Sequence, residues 1–298
     1  MPSIESILVG ADRVREKALL EGMKVANSAH RIVTHLEQLD ECIETLGEKL
    51  ILKSSRDGYD GYGQWRLANK EELPELKRAL ATLNLEKVPL VVEKMVPFER
   101  ELSLIGVRNK QGDVRTYPLA ENLHYQGQLH VSVAPATHVD EALQAKAHDI
   151  FVKLAEGMDY VGVLAVELFQ CGDELLVNEL APRVHNSGHW SQSGAVTSQF
   201  ENHLRAICGL PLGDTSAIGP SAMINIIGCS SFSRELLSID GSHLHWYGKS
   251  VREKRKMGHI NVTTDNYAKL GEKLHDLSQY LPLEYFPKLI GEAKRLKG

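Results

Sequence analysis

Two apolar runs separated by a three-residue break constrain this chain more than any other feature. Residues 161–170 and 174–180 each read as a buried strand, and Cys171-Gly172-Asp173 between them leaves room only for a hairpin turn. Strands joined so tightly must pair antiparallel, and the pairing decides which side chains face each other. With a three-residue loop at Gly172, Asp173 and Glu174, Cys171 faces Leu175, Phe169 faces Val177, and Glu167 faces Glu179. Directly opposed residues have Cβ atoms about 4.5–5.5 Å apart, where two like charges destabilise a sheet. A cation between the carboxylates removes that penalty, and hard oxygen donors without His or Cys favour magnesium. Asn178 points to the other face of a regular strand and reaches the same region only through a local bulge. The alternative is a solvated acidic strand face, against which the apolar neighbours Val166, Leu168 and Leu180 argue.

Three further polar stretches carry chemistry. Directly after Glu179 comes Ala181-Pro182-Arg183-Val184-His185-Asn186-Ser187-Gly188-His189-Trp190, and a dense polar run after a buried strand is where sites are built. The two histidines do not make a zinc helix, because Asn186 stands where a glutamate is needed and Ser187-Gly188 breaks helix. Arg183 reads as an anion clamp, its planar fork matching carboxylate or phosphate. His185 or His189 alone reads as a hydrogen-bonded structural histidine, His189 above all. Lys53 ends a short strand and is followed by Gly58-Tyr59-Asp60-Gly61-Tyr62-Gly63-Gln64. Glycine lets backbone amides approach phosphate oxygens, and a lysine supplies a point charge for them. The spacing is neither a P-loop nor a dinucleotide fingerprint, and a hairpin with a glycine-rich turn accounts for it equally well. The third stretch, His243 to His259, concentrates Lys249, Arg252, Lys254, Arg255 and Lys256 in a chain whose net charge is −5. Such local charge suits a phosphorylated small substrate, whereas a nucleic-acid binder needs a general surplus of cations.

The remaining pattern mixes helices and strands. The spacing predicts helices over 12–22 (capped by Asp12, ended by Gly22), 37–46, 70–83, 138–157, 198–208 and from 266 onward. Strands are expected at 49–53, 65–67, 89–93, 101–107 and 221–228, with a hairpin turn at Gln111-Gly112-Asp113. Glu93 and Glu101 flank a hinge at Pro97. Without strict βαβ alternation the expected class is α+β, divided as 1–95, 96–212 and 213–298. No apolar run reaches the length that spans a bilayer, no secretory leader is visible, and the four cysteines form no CxxC pair. A cytoplasmic protein is expected.

Together these stretches resemble one family, the carboxyaminoimidazole ribonucleotide synthetases (the ATPase subunit of phosphoribosylaminoimidazole carboxylase). The resemblance rests on Asp12-Arg13 before a helix, the 58–64 loop, Asn122-Leu123-His124, the run from Asn178 to His189, and His243 to His259. It implies an ATP-grasp fold, two α+β subdomains clasping ATP, with a small β-rich C-terminal domain. Carried over by position, Arg13, Lys53, Gly58, Tyr59, Asp60, Gly61, Tyr62, Gly63, Gln64 and His124 would contact the nucleotide. Glu93, Lys94, Met95 and Val96 would form the hinge that reads adenine, and Glu101 would hold the ribose. Glu167 and Glu179 would bind magnesium with Asn178 beside them, and Arg183, Lys249 and Arg255 would hold bicarbonate-derived or phosphate anions.

The implied reaction is ligation in purine biosynthesis. ATP phosphorylates bicarbonate, and the carboxyphosphate passes its carboxyl group to the amine of aminoimidazole ribonucleotide. Partners other than these small molecules, apart from a second copy in a homodimer, are not expected; neither nucleic acid nor membrane is. Two departures are notable. Family members normally begin with a Rossmann-like domain that is expected to be absent here, and Tyr62 stands where many relatives carry Arg or Lys. A Mg-ATP-binding module without full synthetase activity, or an ATP-grasp ligase with another acceptor amine, are the alternatives.

Overall fold

The structure is a computed structural model that describes residues 2–56, 58 and 63–298. Helices α1 (Ile4–Ala11) and α2 (Arg13–Gly22) open the chain. The carboxylate of Asp12 accepts from the Val14 amide, satisfying one of the amides that a helix start leaves without a partner. Strands β1 (His30–Val33), β2 (Leu50–Ser54), β3 (Gln64–Leu67) and β4 (Leu90–Lys94) then form an antiparallel sheet in the order β1-β4-β2-β3. Helices α3 (Gln38–Leu46) and α4 (Leu73–Leu80) cover one face of it. Leu39, Ile43, Leu73 and Leu80 pack there on Leu50, Leu52, Leu90 and Val92. The single helix expected over 70–83 is instead a 3-10 turn, Lys70–Glu72, running into α4, whose first turn holds Pro74. Proline is tolerated there because its missing N–H has no partner to lose.

The second sheet is larger. It is built from β5 (Arg100–Arg108), β6 (Val114–Thr116), β7 (Ala120–Tyr125), β8 (Gln128–Ala134), β9 (Gly162–Cys171), β10 (Glu174–Ala181), β11 (Ser221–Ile227), β12 (Ser242–Trp246) and β13 (Lys256–Thr263). Among the described residues its order is β10-β9-β5-β7-β8-β11-β13-β12, with β6 added on β5. Segment 213–298 therefore supplies strands to the same sheet, β11 pairing directly with β8.

Strand alternation gives this sheet two unlike faces. On one, Leu102, Leu104, Leu164 and Val166 pack under α5 (Glu141–Gly157), and Val131, Ile224, Ile260 and Val262 pack under α8 (Tyr267–Leu277) and α9 (Leu289–Lys297). Gly106 permits the approach of α5, since a Cβ there would lie 2.5 Å from the ring of Phe151. On the other face, Ile105, Ala165 and Met223 are covered by Trp190 and by Ala206 of α7 (Gln199–Ile207), which follows the short α6 (Ser191–Gly194). Further along that face the residues turn polar: Glu101 and Ser103 on β5, Glu167 on β9, Asn122 on β7 and Asn225 on β11. The small sheet and α2 stand beside this polar half. Residues 26–29 join the two sheets, Ala26 accepting from Val177 and Ala29 from Lys94. Among the described residues no helix is long and apolar enough to cross a membrane.

Candidate active site

The β9–β10 hairpin turns on two residues, not three. Glu174 pairs with Cys171, Leu176 with Phe169 and Val177 with Leu168, so the expected Cys171–Leu175 and Phe169–Val177 pairs are each off by one. The cause is Gly172, whose φ of +60° suits the first position of a tight two-residue turn. The register then slips between Val177 and Glu179, with Asn178 as the extra residue, and Glu179 falls opposite Glu167 after all. The acidic pair forms, and the bulge considered for Asn178 is what forms it.

Helix α2 and the small sheet bring cations to this pair. Arg13 Nη2 lies 3.0 Å from Glu179 Oε2. Lys53 Nζ lies 3.0 Å from Asn178 Oδ1 and 2.8 Å from Glu93 Oε2, while the other Glu93 oxygen is 2.8 Å from Lys17 Nζ. Burial alone would push the Glu93 carboxyl up, but Lys53 and Lys17 outweigh it and hold it down to about 2. Glu93 therefore faces two lysines, and the strand end beyond it, exposed Lys94 and half-buried Met95 and Val96, leads toward β5.

The acidic side carries excess negative charge. Burial, then the charge of Glu179, pushes Glu167 up to about 7. The same two causes, in the same order, raise Glu16 of α2 to about 7; its Oε2 accepts from the Leu180 amide at 2.8 Å. His185 Nε2 stands 3.4 Å from Glu167 Oε1, and burial, aided by Arg183, holds its proton affinity well below the usual histidine range. His185 is thus neutral, anchored through Nδ1 to the Ser187 hydroxyl at 2.8 Å. His124 behaves oppositely. Burial would lower it, yet Glu101, 2.9 Å from Nδ1, and Glu167 raise it.

The three cations expected to hold anions make only local contacts. Arg183 is exposed and donates to the Val184 carbonyl. Lys249 Nζ sits 4.9 Å from the centroid of the Tyr247 ring, and Arg255 donates to the hydroxyl and carbonyl oxygens of Ser250. Tyr247 is itself fixed by a 2.6 Å bond to His259 Nδ1, whose Nε2 reaches Gln192 Oε1 at 2.9 Å. His189 fits the structural reading given to it, bonded to Gln199 and lowered to about 4 by burial. Of the glycine-rich loop, Gly58 lines a small cavity with Arg13, Glu16 and Glu179. Gly63 has φ +66°, and Gln64 pairs with Lys53. Tyr59, Asp60, Gly61 and Tyr62 lie outside the described residues.

Sequence reasoning passed over two residues of this site, Glu16 and Lys17, and gave a third, Lys256, no role of its own. Lys256, at the start of β13, acts electrostatically on Glu167, His124 and His185 together. Glu16 and Lys17 lie within a helix for which the sequence announced only the two ends; the spacing Arg13-Glu16-Lys17-Leu20 marks the face that meets the site. Among the described residues no three His, Cys, Asp or Glu side chains are grouped to hold a metal. The carboxylates of Glu167 and Glu179 fit magnesium nonetheless, because it is commonly bound by one or two carboxylates plus substrate phosphates.

A small lid-like sheet beside a large one, meeting over an acidic strand pair, defines the ATP-grasp class, and the ATP-grasp domain model matches residues 18–200. The model of the phosphoribosylaminoimidazole carboxylase C-terminal domain matches residues 221–273. The N5-carboxyaminoimidazole ribonucleotide synthase of Vibrio cholerae is 48% identical over 99% of this chain and 78% of its own length. The crystal structure of the synthetase from Thermus thermophilus superposes with a TM-score of 0.87 at 46% identity, over 94% of this chain and 75% of the other. The Aspergillus clavatus enzyme, in complex with ADP and 5-aminoimidazole ribonucleotide, gives 0.84 at 31% identity, over 93% and 75%. The chain belongs to the N5-carboxyaminoimidazole ribonucleotide synthase family of ATP-dependent ligases.

Proposed function

We propose that this chain phosphorylates bicarbonate with ATP and transfers the carboxyl group of the carboxyphosphate to the amine of aminoimidazole ribonucleotide, releasing ADP and phosphate. The observation that carries the reading is the Asn178 bulge. It sets Glu167 opposite Glu179 while Asn178 holds Lys53, so that acidic and basic groups converge on one face.

Phosphoryl transfer asks a protein mainly for positioning and charge neutralisation. Arg13 and Lys53 bring positive charge to the nucleotide's phosphates, beside the glycine-rich loop of Gly58 to Gln64. Lys94, Met95 and Val96 border the base, Glu93 standing behind them, and Glu101 with His124 meets the ribose. Glu167 and Glu179, with Asn178 beside them, would hold magnesium, which when bound supplies charge neutralisation at the phosphates. Arg183, Lys249 and Arg255, joined by Lys256, hold the bicarbonate-derived and substrate-phosphate anions. On this reading residues 1–95 act as the lid unit and 96–212 as the core. Segment 213–298 brings the substrate cations to it. Carboxyphosphate hydrolyses in open water, so the lid must exclude it during transfer.

A homodimer in the cytoplasm completes the proposal. Val196, Leu204, Leu210 and Ile218 are each more than half exposed, apolar surface that a second copy would cover, and sedimentation tests it. For the reaction, the test is ADP release measured with and without bicarbonate and aminoimidazole ribonucleotide. Release that requires bicarbonate and rises with the ribonucleotide is expected; release indifferent to both, from folded protein, overturns the assignment.

A further inference from the structure

Lys17 is one of the most deeply buried charges in the chain, 1% exposed on the inner face of α2, and the reaction described above makes no use of it. Its Nζ lies 2.8 Å from Glu93 Oε1 and 3.4 Å from Asn27 Oδ1. Burying an ammonium is costly unless a partner compensates it. Glu93, itself 3% exposed, is that partner, yet its second oxygen is 2.8 Å from Lys53 Nζ. Two lysines therefore share a single carboxylate, and the formal charges, two positive and one negative, leave the trio positive by one.

The distribution of bonds shows where that surplus is available. An ammonium has three donors. Lys53 donates to Glu93 Oε2 and to Asn178 Oδ1, and Asn178 is the bulged residue next to Glu179. Lys17 lies behind, bonded to Glu93 and to Asn27 on the segment that joins the two sheets. If Glu93 served Lys53 alone, the two would form a neutral pair with little pull on a phosphate. Shared with Lys17, Glu93 orients Lys53 without cancelling it.

We infer that Lys17 is a positioning residue for the nucleotide's phosphates: by engaging half of Glu93 it leaves Lys53 with uncompensated positive charge facing the site. The inference rests on the reading of Lys53 as a phosphate ligand. It goes further in making a charge that never touches the nucleotide responsible for much of its affinity.

The test is a charge-rescue series on the full chain, with Mg-ATP and adenosine as probes in calorimetric titration. Lys17→Met brings the trio to neutrality. It should weaken Mg-ATP binding roughly ten- to hundredfold, the range of a lost charge-assisted hydrogen bond, with adenosine binding unchanged. Adding Glu93→Gln restores the surplus of one and should recover most of the Mg-ATP affinity, which no purely structural role for Lys17 predicts. Lys17→Arg, which keeps the charge, should bind Mg-ATP nearly as the parent does. The inference is overturned if Lys17→Met binds Mg-ATP normally, if Glu93→Gln gives no recovery, or if Lys17→Arg is as weak as Lys17→Met. Lys53→Met separates the two levels. If it weakens Mg-ATP binding while Lys17→Met does not, the inference alone fails; if Lys53→Met has no effect, the phosphate-ligand reading fails with it.

Discussion

Replacing Glu167 with Gln should stabilise the ligand-free protein and abolish its turnover. Glu167 faces Glu179 across the ladder, and Glu179 already has a partner in Arg13, so Glu167 is the member of the pair left with the unrelieved repulsion. Its proton affinity is raised from 4.5 to about 7, burial first and Glu179 second. A carboxyl raised on folding contributes stability that is complete below its free value and is lost as pH rises through the folded value. The wild-type protein should therefore lose stability between about pH 4.5 and pH 7. At 1.36 kcal/mol per pH unit the full shift is worth about 3 kcal/mol, and partial exposure and relaxation reduce the usable part to about 1–2 kcal/mol. In a chain of this size that is an increase of about 2–6 °C in melting temperature. Thermal unfolding of wild type and Glu167→Gln at pH 5 and pH 8, without nucleotide, isolates the effect. The variant should gain at pH 8 and scarcely differ at pH 5. ADP release by the variant should fall on the order of a hundredfold or more, as when charge stabilisation of a transition state is removed. An equal melting temperature for both proteins at pH 8, or full activity in the variant, refutes the account of this pair.

Three other outcomes follow from the geometry. Tyr247→Phe keeps the ring under Lys249 but loses the 2.6 Å bond to His259; the KM for aminoimidazole ribonucleotide should rise about 3- to 10-fold, as for one lost hydrogen bond, with the KM for ATP unchanged in steady-state assays. Gly106→Ala places a methyl 2.5 Å from Phe151 and should cost about 1–3 kcal/mol in denaturant unfolding while kcat is retained. Deleting Asn178 removes the extra residue without moving Glu179 from Glu167, so the protein should fold with a melting temperature near the parent's and yet bind Mg-ATP poorly, because Lys53 loses its Oδ1 partner.

Elements whose signals are local were legible in the residues themselves. Asp12 ahead of α2, Gly47 after α3 and the turn at Gly112 each answer a backbone need within a few positions, and the structure uses each of them so. What depended on distant pairing was not. Strand β1 is largely open to solvent and carries His30 and Arg31, so no apolar alternation announces it; its place is set by β4, some sixty residues later in the chain. The β7–β8 hairpin contributed only the motif Asn122-Leu123-His124. Two-residue alternation puts His124 on the face of Asn122, which lies opposite Glu101 on β5, and that pairing of distant strands is what brings His124 to Glu101. Glu16 and Lys17 went unnoticed for a related reason. Charge on a helix is ordinarily solvated, and only the arrival of Glu93 from another strand makes burial of Lys17 tolerable.

The bulge shows how a site can be written into a hydrophobic pattern. In β10 the side chains that enter the core under α5 are Leu175, Val177 and Leu180. The first two are separated by two positions, as in any strand, but the last two are separated by three. A ladder without slippage would put Leu180 on the polar face and Glu179 in the core, at a cost no nearby cation could offset. One extra residue resolves the conflict. It lets Asn178 and Glu179 both serve the polar face and returns Leu180 to the core. The slip occurs on the last strand of the sheet, directly after Val177, whose outer side meets only the isolated bridge to Asn27. Glu179 is thus positioned by the apolar residues around it as much as by its own chemistry. The change of spacing from two to three marks the site before any charge is considered.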